Sequence, residues 1–179
     1  MSKVAREYLR LDARGRLWTH LVCREGLTKR WKGGIARRWA RQHKHLFDSE
    51  DTALAQSQSG YHFVEWVAAI HFGQTRRVRA AVCKWKTRVP GGRGGFKRKH
   101  LLKAARVRKL LGEHRYITIC RRLQGAGPDL FLYNHFSRRY WFVEVKKVGD
   151  RLSARQQRDA RMIEKLLRVP VQLVRVHPR

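Results

Sequence analysis

Two acidic residues lie in apolar surroundings near the C-terminal end of a strongly basic sequence. Asp129 follows Pro128 and precedes the run LFLY, and Glu144 stands between two valines in FVEVK. A carboxylate avoids such surroundings unless a hydrogen bond, a cation or a metal compensates its charge. Lys146 follows Glu144 by two residues. Residues of these types can hold a divalent metal ion and act on a phosphate ester.

Two short strands joined by a turn must position these acids. Residues 129–134 and 140–146 are rich in apolar, aromatic and β-branched residues and flank the turn HFSRR, so the sequence predicts a hairpin. Side chains alternate along a strand, which places Glu144 and Lys146 on one face. With the turn centred on HFSRR, Asp129 falls opposite or next to Glu144. The two carboxylates therefore converge at one end of the hairpin.

Two hypotheses account for this convergence. Like charges a few ångström apart push one pKa upward, and a divalent cation such as Mg²⁺ relieves the repulsion while retaining water as further ligands. A metal-bound water could then attack a phosphodiester, with Lys146 orienting it or offsetting the charge that develops on phosphorus. Alternatively, the acids belong to a structural ion-pair cluster with some of the many basic residues.

Composition indicates a polyanionic partner. The chain has 179 residues, which is most economically one domain, and 42 Lys and Arg against 13 Asp and Glu give a net charge of +29. Nucleic acid is the leading candidate, because the release of condensed counterions drives its binding to basic proteins. A basic surface without function and a ribosomal-type binding protein are the alternatives.

The cysteines and the hydropathy pattern indicate a soluble protein of a reducing compartment. The three cysteines (Cys23, Cys83 and Cys120) are widely spaced and lack a CxxC pair, which argues against a disulfide framework and a zinc ribbon. No segment has the apolar length of a signal-peptide core or a membrane span. We therefore expect a cytoplasmic location and no membrane partner.

The first half of the chain contains two helical patterns. Trp31, Ile35 and Trp39 recur every four residues among arginines, which predicts an amphipathic basic helix facing the core, with DNA or an anionic membrane surface as alternative partners. Residues 48–60 are polar and acidic and resemble a linker or loop. Residues 59–73 predict a buried helix that begins near a capping Ser59 and ends at Gly73. Glu65 lies within it, and by itself this position favours a salt bridge.

A basic stretch, 76–111, follows. It predicts a strand-like segment over 77–89, a glycine-rich connection over 89–95 and a helix over 97–111 ended by Gly112. Trp85 lies between two lysines, where core packing is favoured over stacking on a base. We expect the following basic residues to contact the DNA backbone: Arg76, Arg77, Arg79, Lys84, Lys86, Arg93, Lys97, Arg98, Lys99 and Arg151.

The C-terminal third completes an α/β pattern. Residues 152–168 predict a helix whose start carries the S-x-x-Q spacing of a capping box, Ser153 and Gln156, and 169–176 predict a further strand. Strand, strand, helix and strand in this order predict a mixed central sheet flanked by helices.

The motifs PDL, FVEVK and GDRLSARQ together resemble the virus-type replication-repair nuclease (VRR-NUC) domain of the PD-(D/E)XK superfamily. The resemblance covers about residues 59 to 176 and implies a restriction-endonuclease-like α/β core. It identifies Asp129 and Glu144 as metal ligands and Lys146 as the catalytic lysine. It also implies that Glu65 is the additional helical acid, catalytic and metal-binding, and that the backbone carbonyl of Val145 is a further ligand. Asp150, Arg151, Ser153 and Gln156 match the run after the lysine, where Asp150, Ser153 and Gln156 would support the active site.

The resemblance implies a Mg²⁺- or Mn²⁺-dependent DNA endonuclease selective for branched, flapped or junction DNA in repair or replication. We expect a nuclease domain over 59–179 with a basic insertion over 76–111, and a basic helical N-terminal extension over 1–58 packed on it. Symmetric junction cutting would require a homodimer. The same chemistry also suits an interbacterial DNase toxin with an immunity protein as partner. The alternative from another class is a non-catalytic nucleic-acid-binding protein.

Overall fold

The computed structural model describes residues 4–47, 49–57, 62–82, 85–86, 101–123, 125, 127–134 and 136–178. The strands are β1 Ala5–Leu11, β2 Leu17–Cys23, β3 Arg79–Val82, β4 Leu130–Tyr133, β5 Tyr140–Lys147 and β6 Val171–His177. The helices are α1 Leu27–Arg30, α2 Ala36–Gln42, α3 Ser49–Ser57, α4 Phe63–Arg76, α5 Leu101–Leu111, α6 Glu113–Arg122 and α7 Ala154–Leu167. A wider helical turn, Trp31–Ile35, joins α1 to α2.

The strands form one mixed sheet in the order β1-β2-β6-β5-β4-β3. Strand β6 lies parallel to both β2 and β5, and the remaining neighbours are antiparallel. The predicted mixed sheet flanked by helices is therefore confirmed, as is the β4–β5 hairpin. None of the helices in the described ranges is long and apolar enough to cross a membrane.

The core occupies both faces of the sheet because side chains alternate along its strands. Leu130, Leu132, Val143 and Val145 face a layer that contains α1, α2 and α4. Their neighbours along the same strands face α5, α6 and α7; they include Phe131, Tyr133 and Phe142. Trp85 is fully buried in this second layer, so its predicted place in the core is confirmed.

The prediction of a helical N-terminal extension is wrong for the first part of the chain. Ala5–Cys23 forms a β-hairpin that extends the central sheet. Strand β1 lies at the sheet edge, and every residue after Ala5 in it is exposed, so it lacks the alternation that marks a half-buried strand. Strand β2 pairs with β6 and is buried over most of its length. The domain boundary near residue 58 stays a prediction.

Two further predictions in the first half of the chain are wrong. The segment taken as a linker contains helix α3, whose first turn carries Glu50 and Asp51, acids that suit the positive end of a helix. Helix α4 continues past Gly73 to Arg76, and Gly73 packs directly against the Leu46 side chain. Ser59, the predicted cap, lies outside the described residues, as do the glycine-rich connection and the first residues of the helix predicted over 97–111.

A buried ion pair joins α3 to α5 and β3. Lys103 forms a salt bridge with Asp51, and both side chains are fully buried. The Lys103 ammonium also donates to the Val82 carbonyl at 2.6 Å, and the Val82 amide donates to Asp51 at 3.1 Å. Burial raises the pKa of Asp51 to about 6, although the Lys103 charge opposes the rise.

Replacing Lys103 with methionine should therefore leave an uncompensated buried carboxylate. We expect Lys103→Met to lower the free energy of unfolding by about 3–5 kcal/mol at about pH 8. The deficit should shrink towards about pH 5, because a carboxyl with a raised native pKa takes up a proton there and its desolvation cost disappears. Urea denaturation at both pH values measures this difference.

Lys109→Met, on the exposed side of the same helix, is the matched control and should change the unfolding free energy little. Equal losses in the two variants would show that the buried pair has no special contribution to stability.

Candidate active site

The hairpin register brings the two predicted acids together. Tyr133 pairs with Tyr140 and Leu130 pairs with Val143, so Asp129, one residue before β4, continues the register next to Glu144. The Val145 amide donates to Asp129 Oδ2 at 2.9 Å and ties this carboxylate to β5. The sequence prediction that Asp129 falls opposite or next to Glu144 is thus confirmed by the strand pairing.

Glu144 is held by two donors on the same oxygen. Its side chain is only 5% exposed, and its Oε1 accepts from Lys146 Nζ at 2.5 Å and from Gln156 Nε2 at 2.6 Å. Lys146 lies on the same face of β5, as the alternation of side chains predicts. A charged donor and an amide donor therefore fix the Glu144 carboxylate in one orientation.

The start of α7 orients Gln156. Ser153 Oγ accepts from the Gln156 amide at 3.1 Å, and Gln156 Oε1 accepts from the Ser153 amide at 3.0 Å, which is the predicted capping box. Because the side-chain oxygen is committed to the cap, the side-chain NH₂ group must point the other way, towards Glu144. Helix capping and carboxylate positioning thus depend on the same side chain.

Asp150 closes the turn between β5 and α7. Its backbone amide donates to the Lys147 carbonyl at 3.1 Å, and its carboxylate accepts from the Lys147 amide at 3.3 Å. Arg175 of β6 donates to the Asp150 carbonyl at 3.4 Å. The supporting role expected for Asp150 is therefore consistent with a residue that fixes where α7 begins.

A buried pair from the basic stretch holds the loop that carries Asp129. Trp85 Nε1 donates to the Pro128 carbonyl at 2.7 Å, and Lys86 Nζ donates to the carbonyls of Leu123 and Gly125 at 3.0 and 2.9 Å. Gly127 has a φ of 82°, and a Cβ atom there would lie 2.6 Å from the Trp85 ring. Only glycine fits this close approach without strain.

Electrostatics oppose ionisation of both acids. Burial and the neighbouring Glu144 raise the pKa of Asp129 well above its usual value, against the opposing effects of Lys146 and the Val145 amide. Burial also raises the pKa of Glu144, although Lys146 and a hydrogen bond with Asp129 reduce the rise. Without a further cation, two negative charges are therefore unfavourable at this position.

Glu65, on the first turn of α4, acts on this pair from a distance. Its charge contributes to the raised pKa values of both Asp129 and Glu144. Its carboxylate accepts from His62 Nδ1 at 3.4 Å, and its side chain is 17% exposed. Glu65 therefore lies within electrostatic range of the pair, and its role as a third ligand stays a prediction.

The two acids open into a small pocket of about 140 Å³. Two residues of α7 that the sequence reasoning missed, Arg155 and Asp159, also line it. The Arg155 side chain lies against Gly125, where a Cβ atom would come within 3.2 Å of its Nε. Asp159 follows Gln156 by three residues, a spacing that puts both on one helix face and could have revealed it.

The predicted DNA-contacting residues divide into four groups. Arg77 and Arg151 are exposed. Arg76 donates to Gln172, and Arg79 donates to the Phe47 carbonyl. Lys86 is fully buried and bound to the active-site loop, so the expected contact with DNA is wrong for this residue. The remaining predicted contacts lie outside the described residues: Lys84, Arg93, Lys97, Arg98 and Lys99.

The donor set suits a hard divalent cation. No group of three or more His, Cys, Asp or Glu side chains within the described ranges is arranged to hold a metal ion. Two carboxylates and a nearby backbone carbonyl are nevertheless the oxygen ligands that Mg²⁺ or Mn²⁺ accepts, together with water. The repulsion between Asp129 and Glu144 is what such a cation would relieve, so these residues fit the metal that the motif implies.

Removing one negative charge should stabilise the protein when no metal is added. We expect Asp129→Asn, which keeps an oxygen for the Val145 amide, to raise the free energy of unfolding in EDTA. The gain should be larger at alkaline than at acidic pH, because both acids have raised pKa values and become ionised in the wild type only as the pH rises. Chemical denaturation at several pH values measures the gain.

Glu25→Gln removes the same charge from an exposed position and is the control. A loss of stability in Asp129→Asn at the higher pH would contradict the inference that the paired carboxylates repel one another. Added Mg²⁺ should stabilise the wild type more than the variant.

Comparison with known families agrees with this geometry. Residues 93–178 match the family model of the VRR-NUC domain, whereas no curated protein matches the chain. The matched part contains Asp129, Glu144, Lys146 and the Ser153–Gln156 cap, and Glu65 lies upstream of it. Residues 93–178 of this chain are therefore similar to the VRR-NUC domain.

Proposed function

We propose that this protein is a divalent-metal-dependent DNA endonuclease with Asp129, Glu144 and Lys146 as its catalytic residues. The observation that carries the proposal is a pair of adjacent carboxylates, Glu144 buried and Asp129 half-buried, which repel each other when both are ionised and line a pocket. A purely structural cluster would not need two acids that destabilise each other. The net charge of +29 supports a polyanionic substrate.

Each residue of the site has a role that follows from its position. Asp129, Glu144 and the Val145 carbonyl would hold the cation, and Glu65 would complete the acidic set from α4. A bound Mg²⁺ or Mn²⁺ supplies Lewis acidity and an acidified water that can attack phosphorus. Lys146 keeps its ammonium beside Glu144, where it can orient water and offset negative charge on the phosphate. Gln156 keeps the Glu144 carboxylate in place.

In this proposal, the DNA contacts come mainly from basic side chains that bind the phosphates of the DNA backbone and do not discriminate between base sequences. Arg77 and Arg151 are exposed, and Arg155 lines the pocket beside the acids. Arg155 is placed to contact the phosphate that enters this pocket. Selectivity for branched, flapped or junction DNA would then depend on how these contacts are arranged around the cut.

Cleavage assays on linear duplex, flap and four-way junction DNA test this proposal. In Mg²⁺ or Mn²⁺ we expect the wild type to cut at least one substrate, and EDTA to abolish cutting. Lys146→Ala should lower the cleavage rate by about 10²–10³, because a charged donor to the reacting phosphate is lost. Glu144→Ala should lose activity through failure to hold the cation.

Lys147→Ala is the matched control, because Lys147 is the next residue of β5, is exposed and points to the opposite face. It should cut at nearly the wild-type rate. Equal rates in the wild type and Lys146→Ala would refute the site assignment. Tight DNA binding without cleavage of any substrate would instead favour the non-catalytic binding protein.

Binding should depend steeply on salt. With about six or more phosphate contacts, the affinity for DNA should drop by roughly 10³ or more between about 50 and 200 mM salt. Fluorescence anisotropy in EDTA measures the slope without cleavage. A shallow slope would mean that the basic residues do not face the DNA backbone.

A further inference from the structure

A second pocket, larger than the one at the acids, lies between the α1–α2 segment and the end of α4. It has a volume of about 330 Å³, which is within the range of small-ligand sites. Leu27, Ile35 and Trp39 provide apolar lining. Three arginines also line it, Arg24, Arg30 and Arg38, and no acid is among its described lining residues.

The arginines give this pocket an unbalanced positive charge. All three are exposed, and none forms an ion pair with an acid in the described part of the chain. Guanidinium groups bind phosphate through paired hydrogen bonds, and they also stack on flat rings. A concave site with an apolar lining and several such groups favours a ligand that is both anionic and planar.

Two residues of the lining have a buried polar atom without a described hydrogen-bond partner. His43 is 5% exposed and lines the pocket, and its Nδ1 has no hydrogen-bond partner among the described residues. The Gln74 side-chain oxygen, in the same lining, is likewise buried without a described partner. Burial, together with the neighbouring His45, lowers the pKa of His43, so its ring is neutral near pH 7.

The kink between α1 and α2 extends the pocket into a groove. Gly34 has a φ of 99°, which glycine alone adopts readily and which interrupts the helix. Beside this kink lies a second cavity of about 260 Å³ that shares Arg30, Ile35 and Arg38 with the first. A Cβ atom at Gly33 or Gly34 would meet no other atom within 4 Å, so the backbone is open here. A flexible polymer chain bound in the pocket could therefore continue along this groove.

We propose that this pocket binds one unpaired nucleotide of a DNA strand, with its phosphate at Arg30 and Arg38 and its base over Leu27, Ile35 and Trp39. A base within an intact duplex is stacked between its two neighbours and paired with its partner base, so it cannot enter. The proposal rests on the proposed function for the identity of the ligand, and it assigns the pocket a role in selecting DNA with unpaired nucleotides.

The position of the pocket relates it to the catalytic pair. Gln74 and Glu65 lie on the same helix, nine residues apart, which is about 14 Å along the axis. Glu65 is within electrostatic range of Asp129 and Glu144, whereas Gln74 lines the pocket. Helix α4 therefore extends from the pocket to Glu65.

Binding measurements in EDTA test the pocket independently of cleavage. The probes are a fluorescent oligothymidylate and a duplex of the same length. We expect Arg30→Ala/Arg38→Ala to weaken binding of the oligothymidylate about 10-fold more than the control Arg14→Ala/Arg139→Ala, which removes two exposed arginines elsewhere. Binding of the duplex should fall equally in both double variants. Equal losses of oligothymidylate binding in the two variants would overturn the proposal.

Competition identifies what the pocket binds. Thymidine monophosphate should displace the oligothymidylate from the wild type at concentrations at which inorganic phosphate does not, and it should do so less well with Arg30→Ala/Arg38→Ala. Equal displacement by inorganic phosphate would mean an anion site that does not hold the base, which contradicts the proposal. These binding measurements test the pocket proposal even if no DNA is cleaved in any assay. The failure of the pocket proposal can therefore be distinguished from the failure of the nuclease proposal.

Discussion

The placement of two carboxylates side by side, Glu144 buried and Asp129 half-buried, is the constraint around which the rest of this structure is arranged. Burial raises the pKa values of both Asp129 and Glu144, and the charge of Glu144 raises that of Asp129 further, so the protein must hold the two acids together against an electrostatic cost. Each acid has its own restraint: the Val145 amide for Asp129, and Lys146 with Gln156 for Glu144. These restraints come from the hairpin and from α7. The sheet register thus determines which groups meet, and the hydrogen bonds fix their orientation.

Holding Asp129 in place also requires a rigid loop before β4, because Asp129 lies outside the regular hydrogen bonding of that strand. Trp85 and Lys86 meet this requirement by binding the backbone carbonyls of the loop from inside the core. A lysine is suited to this role because its ammonium can donate to several carbonyls at once. Its burial also lowers its pKa, so the interaction has a cost that the carbonyl contacts must offset. In this region a basic residue therefore stabilises the site without facing the substrate.

The parts of the fold that the sequence predicts are those with a local signal. Strand parity and turn position suffice to bring Asp129 next to Glu144, and the S-x-x-Q spacing locates the start of α7 within two residues. Strand β1 could not be predicted, because an edge strand that is exposed on both faces shows no alternation of apolar and polar residues. Helix α3 escapes prediction because its defining contact, Asp51 with Lys103, joins residues far apart in sequence. Lys86 escapes for the same reason, since no local pattern distinguishes a buried lysine from its exposed neighbours.

Helix α4 connects the two candidate sites and fixes the distance between them. Residues Trp66 to Gly73 are buried, so the helix is held on most of its surface and cannot shift easily relative to the sheet. Glu65, near one end, acts electrostatically on Asp129 and Glu144, and Gln74, near the other end, lines the arginine-lined pocket. A strand that engaged both sites would have its unpaired nucleotide held at a set spacing from the cleaved phosphate. Selectivity for DNA structure would then follow from the length of a rigid helix, and base-specific contacts would not be needed.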